Sequence, residues 1–228
     1  MSTIADNIQL VSSRIQAAVT AANRAENSVQ LLAVSKTKPA QALREAYAAG
    51  LHDFGENYLQ EALGKQLELA DLPLIWHFIG PIQSNKTRAI AEHFDWVHSV
   101  DRLKIAQRLS EQRPAELPPL NICIQVNVSG EASKSGCTPT DLPALAAAIS
   151  TLPRLKLRGL MAIPEPTEDR AEQDAAFAAV QKLQASLDLP LDTLSMGMSH
   201  DLESAIAQGA TWVRIGTALF GARDYSQS

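Results

Sequence analysis

The sequence predicts a single TIM-type (β/α)8 barrel over residues 1–228, with an additional N-terminal helix. Three observations predict it. Eight short apolar runs recur along the 228 residues with helical patterns between them, the alternation that makes a parallel sheet. Eight strands each followed by a helix is the number that closes a barrel. The turn after the first run reads SKTKPA and holds no glycine. An open doubly wound sheet, the competing arrangement, normally carries a Gly-rich turn there.

Taken in order, Ile4, Ile8, Val11, Ile15 and Val19 recur at spacings of three and four and form one face of a first helix over about residues 3–24. The apolar runs follow at 31–35, 51–55, 74–80, 95–100, 121–128, 157–163, 192–197 and 211–221. Pro39 suits a first helical position after the first strand, and Gly50 a helix C-terminus. Asp101 is the expected N-cap for a helix over Leu103 to Leu109, and Thr138 or Thr140 precedes the helix carrying Leu142, Leu145 and Ile149. Phe177, Val180, Leu183 and Leu187 mark a long helix before the seventh strand. Leu202, Ala205 and Ile206 mark a short one closed by Gly209. The proline-rich PAELPP (114–119) reads as a loop.

Composition bounds the function. With 46% hydrophobic and 20% charged residues the chain can bury a sizeable core. A net charge of −5 argues against nucleic-acid or anionic-membrane partners, which call for a basic face. No apolar run approaches the roughly 18 residues of a membrane span. MSTIADNIQL has neither a basic nor an apolar region of the signal-peptide kind, so cytoplasmic residence is expected. Cys123 and Cys137 form no CxxC, and the five histidines show no metal-binding spacing, so no metal is expected.

In such a barrel the C-terminal strand ends carry the site. They offer Lys36 and Lys38, Glu56 and Asn57, His77, His98, Asn127, Ser195 to Ser199, and Arg214 to Thr217. Lys36 reads either as a surface lysine just past a strand or as a Schiff-base lysine. An amine at the mouth of an apolar barrel is partly desolvated, which frees it to attack an aldehyde. An aldehyde cofactor carrying a phosphate would need an anion site on the same rim. The turns after the last two strands, SMGMS and RIGT, offer one. Gly197 permits close backbone approach. Ser199 is expected at the N-cap of a helix from His200 to Gln208, and Gly216 and Thr217 open a second short helix with free amides. Arg214 is either a core ion-pair member or a partner for a ring nitrogen. His77, between Trp76 and Phe78, reads as a satisfied core or rim residue or as an acid–base group.

LLAVSKTKP, FGENYLQEA, WHFIGPIQSNKTR, VNVSGEASKSG, GLMAIPEP and LSMGMSHDLESAIAQGATWVRIGTALFGAR occur in this order across nearly the whole chain. Together they resemble the pyridoxal phosphate homeostasis protein family, whose barrel is similar to the N-terminal domain of bacterial alanine racemase. The resemblance implies that Lys36 carries pyridoxal 5′-phosphate as an internal aldimine. It implies that Ser199, Gly216 and Thr217 hold the phosphate, with Gly197 and Met198 shaping that turn. Arg214 would face the pyridine nitrogen, and Asn57 would line the ring or its phenolic oxygen. An arginine there disfavours a pyridinium beside it and makes the cofactor a weaker electron sink than a carboxylate would.

Lys134, in the loop GEASKSG after the fifth strand, is either a solvated loop charge or a second amine that takes the aldehyde from Lys36 by imine exchange. A racemase needs two opposed bases. In alanine racemase the second is a tyrosine from a domain this barrel lacks, and of Tyr47, Tyr58 and Tyr225 only Tyr58 falls near the rim. The expected function is therefore to hold the cofactor reversibly, without catalytic turnover, in vitamin B6 balance and indirectly in amino- and keto-acid balance. Acceptor enzymes that depend on the cofactor are the expected partners, and the chain is expected to be a monomer. A weak amino-acid racemase and a cofactor-free lysine-dependent aldolase are the alternatives.

Overall fold

The structure, a computed structural model, describes residues 2–130 and 135–221. All eight expected strands are present: β1 (Gln30–Val34), β2 (Asp53–Glu56), β3 (Ile75–Phe78), β4 (Trp96–Val100), β5 (Leu120–Gln125), β6 (Leu155–Met161), β7 (Thr193–Ser195) and β8 (Trp212–Ile215). Each pairs in parallel with the next, and β1 pairs with β8, so the sheet closes into a barrel. The helices are α1 (Ile4–Ala21), α2 (Ala40–Ala48), α3 (Leu59–Glu68), α4 (Thr87–His93), α5 (Leu103–Gln112), α6 (Leu142–Ser150), α7 (Arg170–Ala185), α8 (Leu202–Ala207) and α9 (Thr217–Phe220).

The N-terminal helix completes the outer ring. α9, which follows β8, is only four residues long. α1 packs across α8, α9 and α2, where a full eighth helix would lie. It buries Ile8, Val11, Ile15 and Val19, and starts at a capping box formed by Thr3 and Asp6.

Strand periodicity divides the side chains into two cores. One face of each strand meets the helices in a continuous apolar cluster that includes Ala33, Phe54, Phe78, Val97, Ile122, Leu160 and Val213. The other face fills the barrel interior. Trp96, Cys123 and Met161 form a separate small cluster there. Register places Leu32 beside Arg214, Gly55 beside His77, His77 beside Trp96, and Met161 beside Ser195. Paired residues share a face, so these side chains are neighbours inside the barrel.

Two helix starts differ from those the sequence predicts. α8 begins at Leu202 with Asp201, not Ser199, at its N-cap. The Asp201 carboxylate accepts the Met198 N–H at 2.6 Å, and the Asp201 N–H donates to the Met198 carbonyl at 3.2 Å, so residues 198–201 form a turn of their own. Arg102, not Asp101, occupies the N-cap position of α5, without a side-chain capping bond, and its guanidinium donates to the Asp101 carboxylate at 2.7 Å. α6 starts after Asp141 with both threonines ahead of it, as expected, and the Thr138 hydroxyl accepts the Asp141 N–H at 3.1 Å.

Candidate functional site

β7, β8, β1 and β2 are consecutive around the barrel, and their C-terminal ends bring the predicted residues onto one arc of the mouth. Leu32 and Val34 take the interior face of β1 by the period of two, and Lys36 follows in the turn two residues past the strand. Lys36 is half-buried there. Gly216 packs against β1, since a Cβ on it would sit 3.2 Å from the Val34 carbonyl oxygen. The Arg214 N–H donates to the Gly197 carbonyl at 2.9 Å, which ties the turn after β7 to β8.

The turn bearing Lys36 is held from below by charge. The Lys38 N–H donates to the Ser35 carbonyl at 3.1 Å, and Thr37 has φ 63°, the left-handed region that β-branched residues avoid. The Thr37 N–H donates to Glu61 Oε1 at 2.6 Å. Beneath it the Lys65 ammonium, 5% exposed, donates to the Ser35 carbonyl at 2.7 Å, to Glu56 Oε1 at 2.7 Å and to Glu61 Oε1 at 2.5 Å. The Ser35 hydroxyl adds a bond to Glu56 Oε1 at 2.6 Å. Glu56 is fully buried, and burial raises its carboxyl pKa, with Lys65 and Ser35 pulling it back down. Lys38 donates to the carbonyls of Phe220 and Gly221, both at 3.1 Å, closing the end of α9.

The turn after β7 has its own supports. Gly197 has φ 97°, and a Cβ there would lie 2.5 Å from the Ala205 Cβ. Ser199 and Met198 are half-buried. Arg14 of α1 donates to the Ser199 carbonyl at 3.1 Å and pairs with Glu203 at 2.8 Å, so the N-terminal helix braces this turn. By helix geometry the first N–H groups of α9, which follows Gly216, have no partner within the helix.

Arg214 rises from β8 into the interior and is 4% exposed. It donates to the Ser195 carbonyl at 2.7 Å, the Ser195 hydroxyl at 2.9 Å and the Ala162 carbonyl at 3.0 Å. Desolvation lowers its pKa to about 10, against the pull of Asp201. A guanidinium keeps its charge there and has further N–H donors beyond these three.

Asn57 sits just past β2, and its side-chain oxygen is buried without a hydrogen-bond partner. With Ile79, Pro81, Gln125, Ser135, Ile163, Pro164 and Pro166 it lines a cavity of about 350 Å³ at the mouth. An amine, a buried guanidinium and the first N–H groups of α9 supply donors, and the Asn57 oxygen an unpartnered acceptor, a set that fits an aromatic aldehyde carrying a phosphate. Among the described residues no group of His, Cys, Asp and Glu is arranged to hold a metal ion.

His77, read as a satisfied core or rim residue or an acid–base group, is a satisfied interior residue, and His98, placed among the strand ends, lies below the rim with it. Both are fully buried inside the barrel and bonded to one another. Lys134 and Tyr225 lie outside the described residues. The loop that carries Lys134 is anchored at its base, where Val126 bridges Cys137 and the Cys137 N–H donates to the Gln125 carbonyl at 2.9 Å. Sequence reasoning missed the Lys65 clamp, the Arg14 brace and the polar barrel interior. The Glu61–Lys65 spacing of four and the paired strand histidines were the available signals.

A closed parallel barrel with a lysine past its first strand and an arginine on its last defines a class. Residues 4–224 match the alanine racemase N-terminal domain family. The chain is 77% identical over 225 residues to the pyridoxal phosphate homeostasis protein of Pseudomonas aeruginosa, covering 99% of this chain and 98% of that one. It is 54% identical to the protein of the same name from Escherichia coli K12, each chain covered in full. The solved structure of PipY from Synechococcus elongatus with PLP bound superposes with a TM-score of 0.85 at 44% identity, covering 96% of this chain and 100% of that one. The chain belongs to the pyridoxal phosphate homeostasis protein family.

Proposed function

We propose that this protein holds pyridoxal 5′-phosphate as a reversible Schiff base on Lys36 and thereby takes part in vitamin B6 homeostasis, and indirectly in amino- and keto-acid balance. The observation that carries the reading is the arc itself. Lys36 lies two residues past the end of β1, the Gly216 turn after β8 packs against Val34 at that end, and buried Arg214 stands on the neighbouring β8. The Lys36 amine condenses with the aldehyde, forming a C=N bond and releasing one water. Water or a second amine reverses the bond. Ser199, Gly216 and Thr217 bind the phosphate through a hydroxyl and free amides, and Gly197 and Met198 shape the turn. Arg214 faces the pyridine nitrogen, and Asn57 meets the ring or its phenolic oxygen. Lys134 is the exchanging amine on this reading. Exchange to an acceptor enzyme at the wild-type rate in Lys134→Ala removes that role.

The reading is of a carrier rather than a catalyst. Tyr58, the tyrosine expected near the rim, is 52% exposed, and Tyr47 packs edge-on against His52. An opposed base would instead be enclosed over the reacting carbon. Two free buried cysteines suit a reducing compartment and support the cytoplasmic assignment. The deciding experiment is the visible spectrum and intact mass of the purified protein after borohydride, wild type against Lys36→Ala. The expected result is a visible band lost on reduction with a cofactor mass fixed on Lys36. Colourless wild-type protein after incubation with the cofactor refutes cofactor binding, and robust racemisation of any amino acid refutes the carrier reading.

A further inference from the structure

A continuous hydrogen-bonded chain runs through the barrel interior and ends on Arg214. Asp53 Oδ1 lies 2.9 Å from His77 Nε2, and His77 Nδ1 lies 2.9 Å from His98 Nε2. His98 Nδ1 lies 2.7 Å from the Ser195 hydroxyl, which lies 2.9 Å from Arg214 Nη1. The members come from β2, β3, β4, β7 and β8, so only the closed barrel assembles them. His77, His98 and Ser195 are fully buried, while the Asp53 carboxylate, at the opposite end of β2 from the mouth, is 23% exposed.

The direction of every bond follows from the two ends. A guanidinium only donates. Ser195 Oγ therefore accepts from Arg214, and its single proton goes to His98 Nδ1. A neutral His98 then carries its proton on Nε2 and donates to His77 Nδ1. His77 in turn donates from Nε2 to the Asp53 carboxylate. Reversed, His98 and Arg214 would both aim protons at Ser195 Oγ, the serine proton would lose its acceptor, and Asp53 would face a bare ring nitrogen. Both rings stay neutral because burial lowers their pKa values. For His98, His77 and Arg214 add to the burial; for His77, Asp53 and Asp95 oppose it. The other charged and titratable groups near the chain are Arg158, Asp192 and Cys123 at β6, β7 and β5, with Asp201 acting on Arg214 through space.

Barrel interiors of this kind are normally filled by branched apolar side chains. Four buried polar groups in a row cost desolvation that such a filling avoids. Here the row is fully satisfied and polarised in one direction, and it leads from the floor to the one buried guanidinium of the arc. Arg214 itself bonds only neutral oxygens, so Asp53 is the anion that the chain connects to it.

We propose that His77, His98 and Ser195 are positioning residues for Arg214, locking it into one donor arrangement at the cofactor end and linking its charge to Asp53 at the barrel floor. This rests on the reading that Arg214 faces the ring nitrogen. The chain itself is tested without cofactor. Nitrogen-15 NMR of the imidazoles in the cofactor-free protein is expected to show both His77 and His98 neutral at pH 7 with the proton on Nε2. An Nδ1–H tautomer or a charged ring at either position overturns the proposal. The link to the site is tested with nitrogen-15-labelled cofactor. Asp53→Asn weakens the anion end, frees the guanidinium to donate more strongly to the ring, and moves the pyridine nitrogen resonance toward the more strongly hydrogen-bonded value. Asp53→Glu returns it. A resonance unmoved in Asp53→Asn overturns the link, even with the tautomers as expected. Failure of the wild type to bind cofactor overturns the role at the ring, and the imidazole spectra then show separately whether the chain exists.

Discussion

Lys65→Met tests whether the clamp beneath Lys36 is a source of stability. The substitution keeps a long unbranched stem in the buried space and removes only the ammonium. Three bonds are lost together, to Glu56, Glu61 and the Ser35 carbonyl. Removing one partner of a buried pair leaves the other charge uncompensated and costs about 3 kcal/mol or more. For a chain of this size that lowers Tm by roughly 6–12 °C. The pH dependence carries the sharper signal. Burial already raises the Glu56 carboxyl pKa, and Lys65 is the first influence holding it down. A raised carboxyl binds protons in the folded state before it does in the unfolded chain. Its contribution to stability is therefore present at low pH and falls as pH rises through the window above the ordinary carboxylate range. Without Lys65 the window extends upward, so the penalty is small near pH 4.5 and full near pH 8. Urea unfolding across that range reads it, and Glu56→Gln on the Lys65→Met background recovers most of the loss. A penalty that does not change with pH, or one the double substitution leaves intact, refutes the reasoning.

Gly197→Ala adds a Cβ at φ 97° and 2.5 Å from the Ala205 Cβ; destabilisation of about 2 kcal/mol and weaker phosphate binding are expected by urea unfolding and a cofactor titration. Arg14→Ala removes the donor to the Ser199 carbonyl and the partner of Glu203. Because that pair is more than a third exposed, about 1 kcal/mol or less of stability is at stake, and the larger effect is expected in faster cofactor release, read by transfer to an acceptor enzyme. Burial pushes the Cys123 thiol up to about 12 and the Cys137 thiol up to about 11, so neither reacts with a thiol reagent at pH 8 until the protein unfolds; rapid labelling of the native protein contradicts the burial assigned to them.

The strands were legible because each buries a continuous apolar run, and eight such runs leave few topologies. The site arc was legible because barrel chemistry collects at strand ends, so Lys36 and Arg214 could be placed by counting from the strands. What escaped depends on register across the barrel. His77 and His98 are twenty-one residues apart and meet only because β3 and β4 pair with His77 beside Trp96. A histidine between two aromatic residues gives no sign of which face it takes until that pairing is known. Lys65 looks like an exposed helix residue with an i,i+4 partner. That α3 turns it inward onto Glu56 and the Ser35 carbonyl is a matter of tertiary packing. The Ser199 cap failed for a local reason, since the Asp201 N–H that it would accept is given to the Met198 carbonyl in a turn of its own, and the helix starts later.

The two buried polar systems divide the support of the site. Under Lys36, the Lys65 clamp fixes the strained turn at Thr37. Under Arg214, the histidine chain fixes the guanidinium. Both belong to the arc from β7 to β2 together with the strands it closes against. On the opposite side of the mouth, the loops after β3 and β6 contribute Pro81, Ile163, Pro164 and Pro166, which line space rather than donate hydrogen bonds. Ile163 is 45% exposed there. On the proposed reading, a ligand anchored along one arc would be held at its reactive and charged groups and met, among the described residues, mainly by apolar side chains on the other. Such an asymmetry suits the reversible storage proposed above, whereas carbanion chemistry is favoured by a site closed against water.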